Sequence, residues 1–183
     1  MRNRSIRKFL CIAAVLTLIL TAFTGCPAPT EPGPTAEIVL LHTNDTHGRV
    51  AGNDTDVIGI DRIAAIHKSI PNSVLLDAGD ALHGLPIATL LRGSDIIALM
   101  NAAGYGAMAV GNHEFNYGWA RLRELRDMAG FPFLASNIME DGGLPLDDTK
   151  IIEVDGVKIG LFGIFYITFF ETPSNVKIKD LAS

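Results

Sequence analysis

The hydrophobic pattern divides the chain into three stretches. Residues 9–23 (FLCIAAVLTLILTAF) are a 15-residue apolar run behind a basic start. A proline-rich stretch follows. From Glu37 onward, short apolar runs alternate with amphipathic ones. Glu37 to His42 (EIVLLH) reads as a buried strand. Ile60, Ile63, Ala64, Ala65, Ile66 and Ile70 outline a helix. Val74 to Leu76 predicts a second buried strand that ends at Asp77-Ala78-Gly79-Asp80. Ser94 is placed to cap a helix carrying Ile96, Ile97, Leu99, Met100 and Ala103, with Gly104 as its stop. Ala107 to Val110 predicts a short strand. Trp119, Leu122, Leu125 and Met128 recur every third residue and predict an amphipathic helix closed by Gly130. Phe131 to Ala135 is strand-like. Ile151–Val154 and Val157–Phe162 flank Asp155-Gly156, a strong hairpin signal. This order predicts an α/β fold whose strand pairing is antiparallel or mixed in part. No internal repeat is visible.

The apolar run at the N-terminus is short of the roughly 20 residues needed to span a bilayer. With its basic flank it fits a secretory leader, residues 1–25. Phe23-Thr24-Gly25-Cys26 resembles a bacterial lipobox, with Phe23 where Leu is usual. That resemblance implies lipid attachment at Cys26, so the only membrane contact expected is through the anchor of an exported lipoprotein facing the periplasm or cell surface. A simple cleavable leader is the alternative. Residues 26–36 hold Pro27, Pro29, Pro32 and Pro34 and predict an extended linker ahead of a body over 37–183.

Composition narrows the function classes. The leader holds four of the 15 basic residues and none of the 20 acidic ones, so the rest carries 11 against 20, a net −9. That excludes a binder of nucleic-acid polymers, which needs a basic face. At 48% apolar residues the chain is no unfolded polypeptide. Of its two cysteines, Cys11 lies in the leader, so the body has no disulfide pair.

Chemistry gathers where the predicted strands end, the place where open α/β sheets hold ligands. Asp45 and His47 stand two apart after the first strand, and in extended backbone they would share a side. Gly79-Asp80 brings a carboxylate out of a tight turn after the second. Asn112-His113 follows the third, an amide oxygen beside an imidazole. Carboxylate, imidazole and amide together suit a transition metal.

In this order, D-x-H, G-D and G-N-H-E resemble the calcineurin-like metallophosphoesterases. The fuller strings HTNDTHG, DAGD and VGNHEFNYG resemble their exported 5′-nucleotidase and 2′,3′-cyclic-nucleotide phosphodiesterase branch. The resemblance runs from about Glu37 to the C-terminus. It implies the N-terminal portion of a metallophosphatase sandwich of mixed β-sheets flanked by helices. It further implies two divalent ions (Mn, Zn, Co or Fe) about 3.5–4 Å apart. Asp45 and His47 would bind the first, Asp80 would bridge both, and Asn112 would bind the second. His113 would face the phosphoryl group of a nucleotide or other small phosphoester.

Asn116 stands where relatives nearest the 5′-nucleotidases often carry an Asp that orients this histidine. An amide can hold the ring but adds no charge, and N-H-E-F-N-Y-G is closer to the cyclic phosphodiesterases. Glu114 is expected to be a structural partner within its loop. His83 occupies a place where relatives often carry Gln, either near the site or on the surface. His42 and His67 read as structural. The family pattern also includes later histidines, among them a G-H-x-H element, and a C-terminal substrate domain. No histidine follows His113. The expectation is therefore an incomplete domain with little turnover of its own; a non-catalytic surface lipoprotein is the competing reading.

Overall fold

The computed structural model describes residues 36–53, 55–166 and 176–178, so the leader, Cys26 and nearly all of the linker lie outside the described residues. Strand β1 (Val39–Thr43) pairs in parallel with β2 (Ser73–Asp77), which pairs with β3 (Tyr105–Ala109) and then β4 (Phe133–Leu134), giving one four-stranded sheet in chain order. Between them run α1 (Gly59–Ser69), α2 (Pro86–Leu90), α3 (Ser94–Ala103) and α4 (Trp119–Met128). A 3-10 turn spans His113–Phe115. Two antiparallel pairs complete the fold: β5 (Ile138–Glu140) with β8 (Val176–Ile178), and the hairpin of β6 (Thr149–Val154) and β7 (Val157–Phe162). The α/β expectation holds, with the parallel strands in one sheet and the antiparallel ones in two small sheets.

Leu75, Met108 and Phe133 from the sheet meet Ile96, Ile97, Met100, Leu122 and Leu125 from the helices in one core. A shallow groove lined by Leu76, Ala107, Ala109, Leu134, Leu161 and Phe162 lies where the hairpin meets the sheet. The chain after β4 is pinned by a reciprocal pair: Asn137 Nδ2 donates to the Phe165 carbonyl at 2.7 Å, and Phe165 N–H donates to Asn137 Oδ1 at 2.8 Å.

Four local expectations change. β1 is an edge strand, not a buried one: Leu40 is 53% exposed and His42 is exposed too. Ser94 does not cap α3. Gly93 holds that position at φ +88°, which a side chain disfavours, and Ser94 Oγ turns back to the Leu91 carbonyl. α4 ends at Met128 with Ala129 as its C-cap rather than on Gly130, whose N–H goes to Asn101 Oδ1. Met128 is exposed although Trp119, Leu122 and Leu125 are buried. A spacing of three drifts by about 60° per step on a 3.6-residue helix, so after three steps Met128 faces away from Trp119. Among the described residues no helix is long and apolar enough to cross a membrane.

Candidate metal centre

The loops leaving β1, β2 and β3 run side by side because the parallel ladder continues beyond the strands. Ala78 N–H donates to Thr43 O at 2.8 Å, Asp45 N–H to Gly79 O at 3.0 Å, and His47 N–H to Asp80 O at 3.0 Å. The third loop is brought in by close backbone contact. Gly79 sits at φ +105°, and a Cβ there would lie 2.7 Å from the Gly111 nitrogen. Asp45 (φ +53°), His47 (φ +48°) and Asp80 (φ +59°) all adopt left-handed backbone. Such conformations persist in non-glycine residues only where the surroundings enforce them, and they gather at functional sites. The extended-backbone reason for pairing Asp45 with His47 therefore fails, yet the turn still brings them together: His47 Nε2 is 3.5 Å from Asp45 Oδ1.

One ligating atom each from His47, Asp80 and His113 lie within 4.8 Å of one another. The His47 and His113 rings meet edge to face at 4.7 Å. His47 Nδ1 lies 3.0 Å from the His83 carbonyl, which can only accept. Nδ1 therefore carries a proton, which leaves Nε2 facing Asp45. Two acceptors facing each other repel unless a proton or a cation stands between them, so this donor set fits a divalent ion. Asp80 Oδ1 accepts the His113 backbone N–H at 2.7 Å, which leaves Oδ2 for another partner. Asn116 Nδ2 is 2.9 Å from His113 Nδ1 and donates to it, leaving the ring proton on Nε2. Asn112 is half-buried at the start of the 3-10 turn, with its carbonyl bonded to Phe115 N–H. Asp45 is open, with its side chain 56% exposed.

His83 is closer to this centre than its uncertain place in the pattern suggested. Its ring stacks on His113, with centroids 5.5 Å apart and planes at 6°, and it also touches Tyr117. Partial burial, then the neighbouring His113 and His47, hold its pKa below the ordinary value. The other two histidines stand apart. His67 Nδ1 meets Ser73 Oγ at 2.8 Å beside the end of α1, and His42 lies on the groove rim.

Glu114 supports the loops from beneath, as a structural partner. It is fully buried. Oε1 accepts the N–H groups of Ala81 at 2.9 Å and Leu82 at 3.1 Å, and Oε2 those of Asp80 at 2.9 Å and Gly111 at 2.8 Å. Burial pushes its carboxyl above the ordinary range while the N–H bonds pull against that. A second buried carboxylate, Asp77, stands at the end of β2. Burial lifts its pKa to about 7, with the Thr43 hydroxyl and Gly79 N–H opposing. Its signal in the sequence was only an acidic residue closing an apolar run.

A profile of the calcineurin-like phosphoesterases matches residues 38–182. The chain belongs to the calcineurin-like phosphoesterase family. It is similar to a snake venom 5′-nucleotidase of Gloydius brevicauda, 34% identical over 178 residues, covering 86% of this chain and 30% of that one. It is also similar to the protein UshA of Yersinia enterocolitica, 32% identical over 162 residues, covering 83% and 30% respectively. A solved 5′-nucleotidase precursor from Thermus thermophilus superposes with a TM-score of 0.70 at 25% identity, covering 79% of this chain and 32% of that chain. The chain thus spans about 30% of the length of the relatives it matches. The family and the α/β architecture expected from the motifs both hold. The similar relatives include proteins named 5′-nucleotidase, and among the described residues His47, Asp80 and His113 form a possible metal-binding group.

Proposed function

We propose that this chain carries the metal-ligand half of an exported phosphoesterase that hydrolyses nucleotides. In this reading Asp45 and His47 would hold one divalent ion, Asp80 would serve both that ion and a second, and Asn112 would hold the second. The observation that carries it is the convergence of His47, Asp80 and His113 from three separate loops to within 4.8 Å. Two such ions would polarise the phosphoryl group and make water a nucleophile at neutral pH.

The chain's own residues do the rest. His47 is oriented by the His83 carbonyl. Asp80 keeps one oxygen on the His113 backbone N–H and offers the other to the ions. His113 is held by Asn116 with its Nε2 proton outward, where it donates to a phosphoryl or leaving-group oxygen. Asn116 fixes that ring without adding charge, the one feature that favours a second reading, hydrolysis of 2′,3′-cyclic nucleotides. The relatives named 5′-nucleotidase favour the first. We further read residues 1–25 as a leader, Cys26 as the lipid-bearing residue and 26–36 as the spacer to a body anchored at a membrane surface.

Calorimetric titration of the 183-residue chain with Mn²⁺ tests the centre. Wild type is expected to bind, and Asp80→Ala to lose about tenfold or more in affinity, the scale on which even outer partners of a metal act. An Asp80→Ala variant that binds like wild type contradicts the reading. Phosphate release from AMP against opening of 2′,3′-cyclic AMP, with the Mn²⁺-loaded chain, separates the two substrates. Mass spectrometry of the processed N-terminus tests Cys26.

A further inference from the structure

Asp77 is 4% exposed at the last position of β2, and none of the roles above uses it. A carboxyl group is costly to bury unless its oxygens are engaged. Here each oxygen reaches a different element. Oδ1 accepts the Gly79 N–H at 2.8 Å. Oδ2 accepts the Thr43 hydroxyl, at 2.5 Å, from the end of β1. Thr43 Oγ1 in turn lies 2.9 Å from the Tyr105 hydroxyl at the start of β3. One carboxyl group therefore links three adjacent strands at the edge of the candidate centre.

Gly79 is the pivot. Its N–H is held by Asp77, its carbonyl accepts the Asp45 N–H, and its left-handed backbone leads directly into Asp80. Thr43 likewise leads within two residues into Asp45. We propose that Asp77 is a positioning residue that sets the spacing of the Asp45 and Asp80 loops for a divalent cation. This rests on the metal-binding reading above. Cation ligands must be held within about half an ångström of their working geometry, so the group that locks both loops governs affinity without touching the ion.

The test uses the 183-residue chain and two readouts: calorimetric Mn²⁺ affinity, and metal-free amide exchange at Gly79 and Asp45 by NMR. Asp77→Ala is expected to weaken Mn²⁺ binding about tenfold or more and to speed both amides. Asp77→Asn keeps an oxygen for the Gly79 N–H and turns its NH₂ to Thr43 Oγ1, so it restores both readouts. If Asp77 only fills space, folded Asp77→Ala binds Mn²⁺ as wild type does, and that result overturns the proposal. If Asp77→Ala fails to fold, Thr43→Val takes its place, with weaker Mn²⁺ binding expected and unchanged affinity overturning the proposal. A wild-type chain that binds no Mn²⁺ refutes the metal-binding reading itself. The exchange data then decide the role of Asp77 alone: faster Gly79 exchange in Asp77→Ala with rescue by Asp77→Asn supports it, and unchanged exchange overturns it.

Discussion

Replacing Glu114 by Gln changes one atom, yet the arrangement around it predicts a large loss of stability. Each carboxylate oxygen accepts two backbone N–H groups, Ala81 and Leu82 on one, Asp80 and Gly111 on the other. Whichever way the Gln amide turns, two of the four N–H groups lose their acceptor and face an NH₂ group. A hydrogen bond to a charged acceptor contributes about 1.5–3 kcal/mol, so two of them amount to about 3–6 kcal/mol. A domain of this size has about 5–15 kcal/mol in total, which leaves the variant near unfolding at 37 °C. Urea denaturation at 25 °C, followed by far-UV circular dichroism in chelator, measures the difference. Glu124→Gln is the control, since among the described residues Glu124 makes an exposed i,i+3 pair with Arg121 and its loss is worth under about 1 kcal/mol. A Glu114→Gln variant within 1 kcal/mol of wild type, on the order of that control, refutes the claim that this carboxylate holds the two loops together.

Asp77 adds a pH signature to the metal-free chain. Its folded pKa of about 7 lies above the ordinary 3.8, so between those values the folded state holds a proton that the unfolded state has released. Stability therefore falls as pH rises through that window and levels off above it, by at most about 4 kcal/mol. Urea melts should show Asp77→Asn gaining on wild type between pH 4 and pH 8 (roughly the span of the two pKa values), and a gap independent of pH contradicts this. Gly79→Ala combines positive φ with a Cβ only 2.7 Å from Gly111 N, whereas Gly156→Ala has positive φ and open space. Urea melts should show the first costing more than about 2 kcal/mol and the second about 1. Asn137→Ala removes both bonds to Phe165 and should cost about 2 kcal/mol or more by the same melts.

What was legible in the sequence is what chemistry or backbone geometry restricts to few residue types. The Asp155-Gly156 turn was readable because both positions have positive φ, +48° and +76°. Asp45, His47, Asp80, Asn112 and His113 stood out as candidates because so few side chains serve metal and phosphoryl chemistry, and the structure brings His47, Asp80 and His113 to within 4.8 Å. α2 was missed because five residues with only Ala88 buried leave no period to detect. β5 was missed because its partner is three residues near the far end of the chain. The tie through Asp77 was invisible because Thr43 is 34 residues from Asp77, and Tyr105 is 62 residues from Thr43. Contacts at that separation follow from the parallel pairing, which no local pattern records.

The two hydrogen bonds that carry the ladder into the loops, from Asp45 to Gly79 and from His47 to Asp80, make the sheet itself a ruler. Neighbouring strands stand about 4.8 Å apart in every sheet, and that distance passes directly to the side chains beyond their ends. Between Arg49 and α1 the chain can then lengthen, shorten or change composition without moving the ligands, since among the described residues of that stretch no backbone hydrogen bond reaches the loops after β2 and β3. A homologue that keeps the strand ends and rewrites residues 53–58 retains the centre. A one-residue slip of β1 against β2 abolishes it with every ligand still present.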